Sequence, residues 1–168
     1  LENLDGLNKL ETVGGQVSMR YNTNLQSVSG FNRLQSTGYT LKIDDNRKLI
    51  SISGFAELES IEHQFFINSN DKLQTVDGFT QLESVSGNMQ FDNNVKLTSI
   101  AGLKNLEHVG GQLLISDNDL LPSLDGLQSL ETIGKKLSIA SNGALTNLDG
   151  LSALKSSGEV QIIENTSL

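Results

Sequence analysis

The sequence predicts a mainly β solenoid, in which a single domain of 168 residues winds into seven coils of about 24 residues. Three observations support this fold class: leucine returns every 24 residues, a pair of apolar residues two apart follows in each repeat, and a glycine holds a fixed place in every copy. Self-similarity at a period of about 20 to 50 residues is typical of stacked repeat architectures. The seven repeats begin at Leu1, Leu25, Leu49, Leu73, Leu97, Leu121 and Leu145.

The first half of each repeat carries apolar residues at steps of three, as in Leu1, Leu4, Leu7 and Leu10. A helix turns by about 100° per residue, so a strict step of three drifts by about 60° each time and forms no apolar stripe. The glycine at the sixth place of every repeat would also cost a helix about 1 kcal/mol relative to alanine. Because glycine suits a corner with positive φ, we expect this half to turn corners without forming a helix.

The second half of each repeat predicts a short β-strand, because apolar residues stand two apart, as in Val17 and Met19. We therefore expect three short sides and three corners per coil, with like residues of successive coils stacked into ladders. Phe31, Phe55 and Phe79 are expected to stack inside the core. An asparagine follows each strand pair by three residues, and we expect these amides to turn inward and satisfy corner backbone groups. They are Asn22, Asn46, Asn70, Asn94, Asn118, Asn142 and Asn165.

Composition and charge exclude several classes of function. The chain has 12 Lys and Arg against 20 Asp and Glu, a net charge of −8 that opposes binding to nucleic acid. No apolar run approaches the roughly 20 residues that span a bilayer, so direct membrane insertion is not predicted. Because the chain contains no cysteine, disulfides and thiolate metal sites are ruled out.

Catalytic and metal-binding signatures are missing from the repeats. His63 and His108 occupy different places in their repeats and form no ligand pair. No loop interrupts the period to carry convergent carboxylates, which weighs against a polysaccharide-active enzyme. The acidic residues lack the spacing of a calcium-binding loop. We therefore predict a non-enzymatic protein with no catalytic residues, no cofactor and no metal site.

The repeat as it stands from Leu1 to Asn22, LENLDGLNKLETVGGQVSMRYN, resembles the leucine-rich coils of receptor L domains, and the resemblance covers all 168 residues. It implies a right-handed, single-stranded β-helix and a binding module of an extracellular or cell-surface protein. Receptor members carry cysteine-rich caps, which this sequence lacks, so a microbial surface protein is favoured. The pattern runs to Leu1 and Leu168, so we expect caps elsewhere in a larger secreted protein, or self-association of coils end to end or face to face.

Specificity is expected from outward positions that differ between repeats, because the regular core cannot supply it. Phe66 and Leu114 are apolar where neighbouring copies are polar, and an exposed aromatic ringed by polar groups is a plausible anchor for a protein or glycan. Single exposed apolar residues are also normal on protein surfaces. The predicted ligand-binding residues are Tyr21, Asp44, Phe66, Asn68, Gln90, Asp92, Leu114 and Asp117.

A row of hydroxyl residues offers an alternative function. Regular hydroxyls on a flat solenoid face resemble those of ice-binding proteins, although corner hydroxyls that cap turn backbone explain the same row. The candidate ice-binding row is Ser27, Ser51, Thr75, Ser99 and Ser123.

Overall fold

The computed structural model describes residues 1–168 and confirms a β-solenoid of parallel strands in stacked coils of about 24 residues, with almost no helix. The widest side of the solenoid, which we call the front ladder, has seven strand rungs separated by six full turns. Its register follows the repeat, so that Leu41 lies beside Phe65 and Phe65 beside Met89. Its first five strands are Val17–Arg20, Leu41–Asp44, Phe65–Asn68, Met89–Asp92 and Leu113–Ser116.

Two narrower ladders lie on the other sides of the solenoid. The side ladder comes just before the front ladder in the chain and consists of Thr12–Val13, Ser36–Thr37, Ser60–Ile61, Ser84–Val85 and His108–Val109. In the sixth and seventh coils the two sides merge into the continuous strands Thr132–Ala140 and Ser156–Ile163. The back ladder consists of Ser27–Val28, Ser51–Ile52 and Thr75–Val76. Short 3-10 turns form at Asp5–Leu7, Ala101–Leu103 and Asp149–Leu151.

One hydrophobic core runs the length of the solenoid, since 38 buried apolar residues form a single cluster that no coil could form alone. The predicted aromatic stack is confirmed within it. The rings of Phe31 and Phe55 lie 5.1 Å apart between centroids, and those of Phe55 and Phe79 lie 5.0 Å apart. Val160 and Ile162 of the seventh coil are exposed, because no further coil packs over them in the structure.

The inward asparagine ladder is also confirmed. The backbone N–H of Asn70 donates to Oδ1 of Asn94 in the next coil at 3.2 Å. The side-chain Nδ2 of Asn70 donates to the carbonyl of Ile43 in the preceding coil at 2.9 Å. Each internal asparagine thus links three coils. The residue before each ladder asparagine has left-handed backbone, with φ between 53° and 58° from Tyr21 to Glu164, and this bend follows the front strand of every coil.

The expected role of the sixth-place glycines is wrong. Among them only Gly126 has positive φ, at 116°, and in two coils the left-handed conformation falls on the next residue, Phe31 or Phe55. The structural reason for glycine is the close approach of neighbouring coils: a Cβ on Gly30 would lie 2.5 Å from the carbonyl oxygen of Leu4. At Gly6, where no coil lies beneath, a Cβ would meet nothing within 4 Å.

Candidate binding face

The outward side chains of the front ladder form two parallel rows, which together we call the front face. Residues in register on neighbouring strands lie about 4.8 Å apart along each row. All eight residues that the sequence predicts for ligand binding belong to the front face or to the corner just after it. Phe66, Gln90 and Leu114 lie in the first row, Asp44, Asn68 and Asp92 lie in the second, and Tyr21 and Asp117 lie at the corner.

The two apolar residues of the first row, Phe66 and Leu114, are half-buried. Lys42, in the same row as Phe66, places its Nζ 5.3 Å from the centre of the phenyl ring. Gln90 lies between Phe66 and Leu114. The expectation that Phe66 and Leu114 project to solvent therefore holds in part: both point outward, but side chains of adjacent coils limit their exposure.

Asp44 lies under the cations of the first two coils, with only 5% of its surface exposed. The pKa of this carboxyl is raised above its ordinary value, because burial outweighs the opposing hydrogen bond and charge of Lys42 and the charge of Arg20. Lys42 Nζ lies 3.0 Å from Asp44 Oδ2, and Oδ1 has no hydrogen-bond partner. Arg20 Nε lies 3.9 Å from Oδ2, and the guanidinium packs on the exposed ring of Tyr21. Asp44 thus positions two cations instead of offering an accessible carboxylate.

Towards the opposite end, the corner just after the front face is acidic. The Ser116 hydroxyl donates to the Asp92 carboxylate. Burial raises the pKa of Asp117, and the negative charges of Asp92, Asp119 and Glu164 raise it further. No group of three or more histidine or carboxylate side chains is arranged to hold a metal ion. The front face thus carries the cations Arg20 and Lys42 over its first two coils, and the carboxylates of the far end lie mainly in the corner just after it.

A notch of about 220 Å³ lies along the edge where the chain enters the front ladder. Its polar side chains include Gln64 and Asn88, which directly precede the strands that begin at Phe65 and Met89. Its other lining residues are His63, Ser86, Gly87, Gly110, Gly111 and Lys135, so no apolar side chain contributes. The sequence analysis did not predict this notch, although Gly87 and Gly111, which align with His63 and Lys135 at the 24-residue period, could have indicated it.

The candidate ice-binding row of hydroxyls lies outside the front face and begins in the back ladder. Ser27, Ser51 and Thr75 are aligned in the back ladder, and Thr75 forms a bridge with Ser99. The Ser99 and Ser123 hydroxyls accept the backbone N–H groups two residues later, at 3.2 Å and 3.3 Å. These two hydroxyls therefore cap turns, as the alternative explanation of the row expects.

The structure contains no helix of the length and apolar character needed to cross a membrane. Comparisons with protein-family models, with curated proteins and with solved structures found no match to the chain.

Proposed function

We propose that this chain is a non-enzymatic recognition or adhesion module of an extracellular or cell-surface protein, similar to receptor L domains of the microbial type, and that its front face binds a protein or glycan. One observation carries this proposal: Phe66 and Leu114 stand in the same outward row, two coils apart, and the other residues of that row are polar or charged. The core ladders repeat from coil to coil, whereas this row does not.

A rigid row of this kind suits binding. Two coils separate the anchors by about 10 Å. Binding energy in interfaces is concentrated in a few central aromatic and aliphatic anchors that polar groups surround. Lys42 and Gln90 flank Phe66 along the row and would form part of such a rim.

The side chains with catalytic potential support a non-enzymatic role. His108 Nδ1 lies 2.9 Å from Thr132 Oγ1, and Nε2 lies 3.7 Å from a carboxylate oxygen of Glu107. A hydroxyl next to an imidazole that is next to a carboxylate is the arrangement of a nucleophilic triad. This trio lies at the surface of the side ladder, however, and none of its three residues lines the notch. It has no concave site in which to hold a substrate.

The test is a binding screen of the whole chain on arrays of glycans and of extracellular proteins, repeated with the double variant Phe66→Glu/Leu114→Glu. The matched control is Ile50→Glu, which adds a charge at an apolar residue that is 42% exposed and lies outside the front face. We expect the double variant to lose at least about tenfold in affinity for any hit, because hot-spot anchors contribute on that scale. The control is expected to bind as the native chain does.

Circular dichroism of each variant checks that the coils remain folded. Full retention of binding by a folded double variant, or the absence of any ligand on either array, would overturn the proposal.

A further inference from the structure

A stack of rings ends at the notch beside the front face. Tyr39 and His63 occupy the same corner place in successive coils, and their rings stack with centroids 4.4 Å apart and planes 15° apart. In the next two coils this place is taken by Gly87 and Gly111. Because Tyr39 covers one face of the imidazole, the other face is directed along the solenoid towards the next coil, where Gly87 has no side chain.

The notch is fixed by the backbone. A Cβ on Gly111 would lie 2.6 Å from the carbonyl carbon of Gly87, so the backbone of this coil, as it lies here, has no room for a side chain at that place. Pockets for drug-sized ligands measure about 300–1,000 Å³. The notch, at about 220 Å³, therefore has room for one ring-sized group of a larger ligand.

A cation without an ion-pair partner stands at the far end of the notch. Lys135 takes the corner place three coils along from His63, about 14 Å away at the usual strand spacing. Its neighbour Lys136 pairs with Glu159 at 3.2 Å, whereas no carboxylate lies within ion-pair distance of Lys135. An ammonium on a flexible four-carbon stem is suited to a carboxylate at a range of positions.

The remaining side chains of the notch are the hydroxyl of Ser86 and the amides of Gln64 and Asn88. Asn88 Oδ1 accepts the backbone N–H of Gln112 at 3.0 Å, while Asn88 Nδ2 makes no hydrogen bond within the chain. Together with Gln64, this amide offers donors and acceptors that match the hydroxyls of a sugar. A purely apolar ring would desolvate these groups without replacing their hydrogen bonds, at a cost in free energy.

We propose that the notch binds a sugar ring that carries a carboxylate, and that an acidic glycan is therefore the ligand of the adjoining front face. The sugar ring packs on the free face of His63, its hydroxyls bond to Asn88 and Gln64, and its carboxylate pairs with Lys135. The rest of the glycan continues over Gln90. This inference rests on the proposed recognition function and selects the ligand class within it.

The experiment is a titration of the ¹⁵N-labelled whole chain with a disaccharide of glucuronate and galactose, and with its neutral counterpart in which glucose replaces glucuronate. We expect backbone amide shifts at Gly87 and Gly111, and an affinity at least about tenfold higher for the acidic sugar. Lys135→Gln is expected to remove this preference and Lys135→Arg to retain it. The matched control Lys104→Gln changes an exposed lysine that lies outside the notch and has no ion pair, so the preference persists.

Equal affinity for the two sugars, shifts that map away from the notch, or an unchanged preference in Lys135→Gln would overturn the inference. If the arrays return only protein ligands that depend on Phe66 and Leu114, the recognition function stands and the acidic glycan fails. If the notch binds the acidic sugar while the double variant of the front face keeps all binding, the notch stands as a site and the front-face proposal fails.

Discussion

Replacing Asn94 by alanine tests whether the asparagine ladder holds neighbouring coils together. Asn94 is fully buried, and its Oδ1 accepts the backbone N–H of Asn70 at 3.2 Å. Its Nδ2 donates to the carbonyl of Ile67 at 2.8 Å. Both partners belong to the preceding coil, so removal of the amide leaves a buried backbone N–H without a partner and breaks two further bonds between the same two coils, the second from Asn70 Nδ2 at 3.2 Å.

The expected cost follows from these losses. A buried polar group without a partner costs about 1–3 kcal/mol, and an ordinary hydrogen bond contributes about 0.5–1.5 kcal/mol. We therefore expect Asn94→Ala to lower the free energy of unfolding by about 3 kcal/mol. For a domain of this size each kcal/mol lowers the unfolding midpoint by about 2–4 °C, so the midpoint is expected to fall by about 6–12 °C.

Thermal unfolding followed by circular dichroism measures this effect, with Asn22→Ala as the matched control. Asn22 is only half-buried, and its Oδ1 accepts no backbone N–H because no coil lies beneath it. We expect the control to lose less than about 1 kcal/mol. Equal falls in midpoint for Asn94→Ala and Asn22→Ala, or none for Asn94→Ala, would refute the ladder as a source of stability.

Two further changes test the coil contacts and the acidic corner. Gly78→Ala is expected to cost about 3 kcal/mol in denaturant unfolding, because its Cβ would overlap the Gly54 carbonyl, whereas Gly6→Ala has open space and changes stability by less than about 0.5 kcal/mol; equal costs would contradict the steric explanation. The pKa of Asp117 is raised above 3.8 in the folded chain by burial and by nearby carboxylates, so native stability falls as pH rises from 3.8 through the raised folded value. Asp117→Asn is therefore expected to be more stable than the native chain in urea at pH 7 and to match it below roughly pH 3; lower stability at pH 7 would count against this.

The solenoid was predictable because the sequence shows both of its periods, the repeat and the strand alternation. The 24-residue return of leucine gives the register of every ladder, and the two-residue step at Val17 and Met19 gives the strand. The role of the sixth-place glycine was not predictable in the same way. Positive φ and a close backbone approach both require the absence of a Cβ, and only the distance between coils distinguishes them, as at Gly30.

The front face was predictable in outline only. Alternation along a strand places Phe66 and Leu114 outward, but the sequence does not specify that Lys42 leans over the Phe66 ring or that Asp44 is buried. Those details depend on side-chain conformations between coils. The notch was harder to predict from the sequence, because it forms where the coils after His63 have glycine, at Gly87 and Gly111, in place of a side chain.

The hydrogen bonds that side chains make between coils join residues 22 to 27 apart in sequence, and they reach only the adjacent coil. An internal coil has the same kind of neighbour on each side, so a whole coil of 24 residues can be duplicated or deleted without requiring a new type of contact anywhere else. The length of the front face is thus adjustable in steps of about 4.8 Å, and a change in coil number would alter that length while it leaves the core intact.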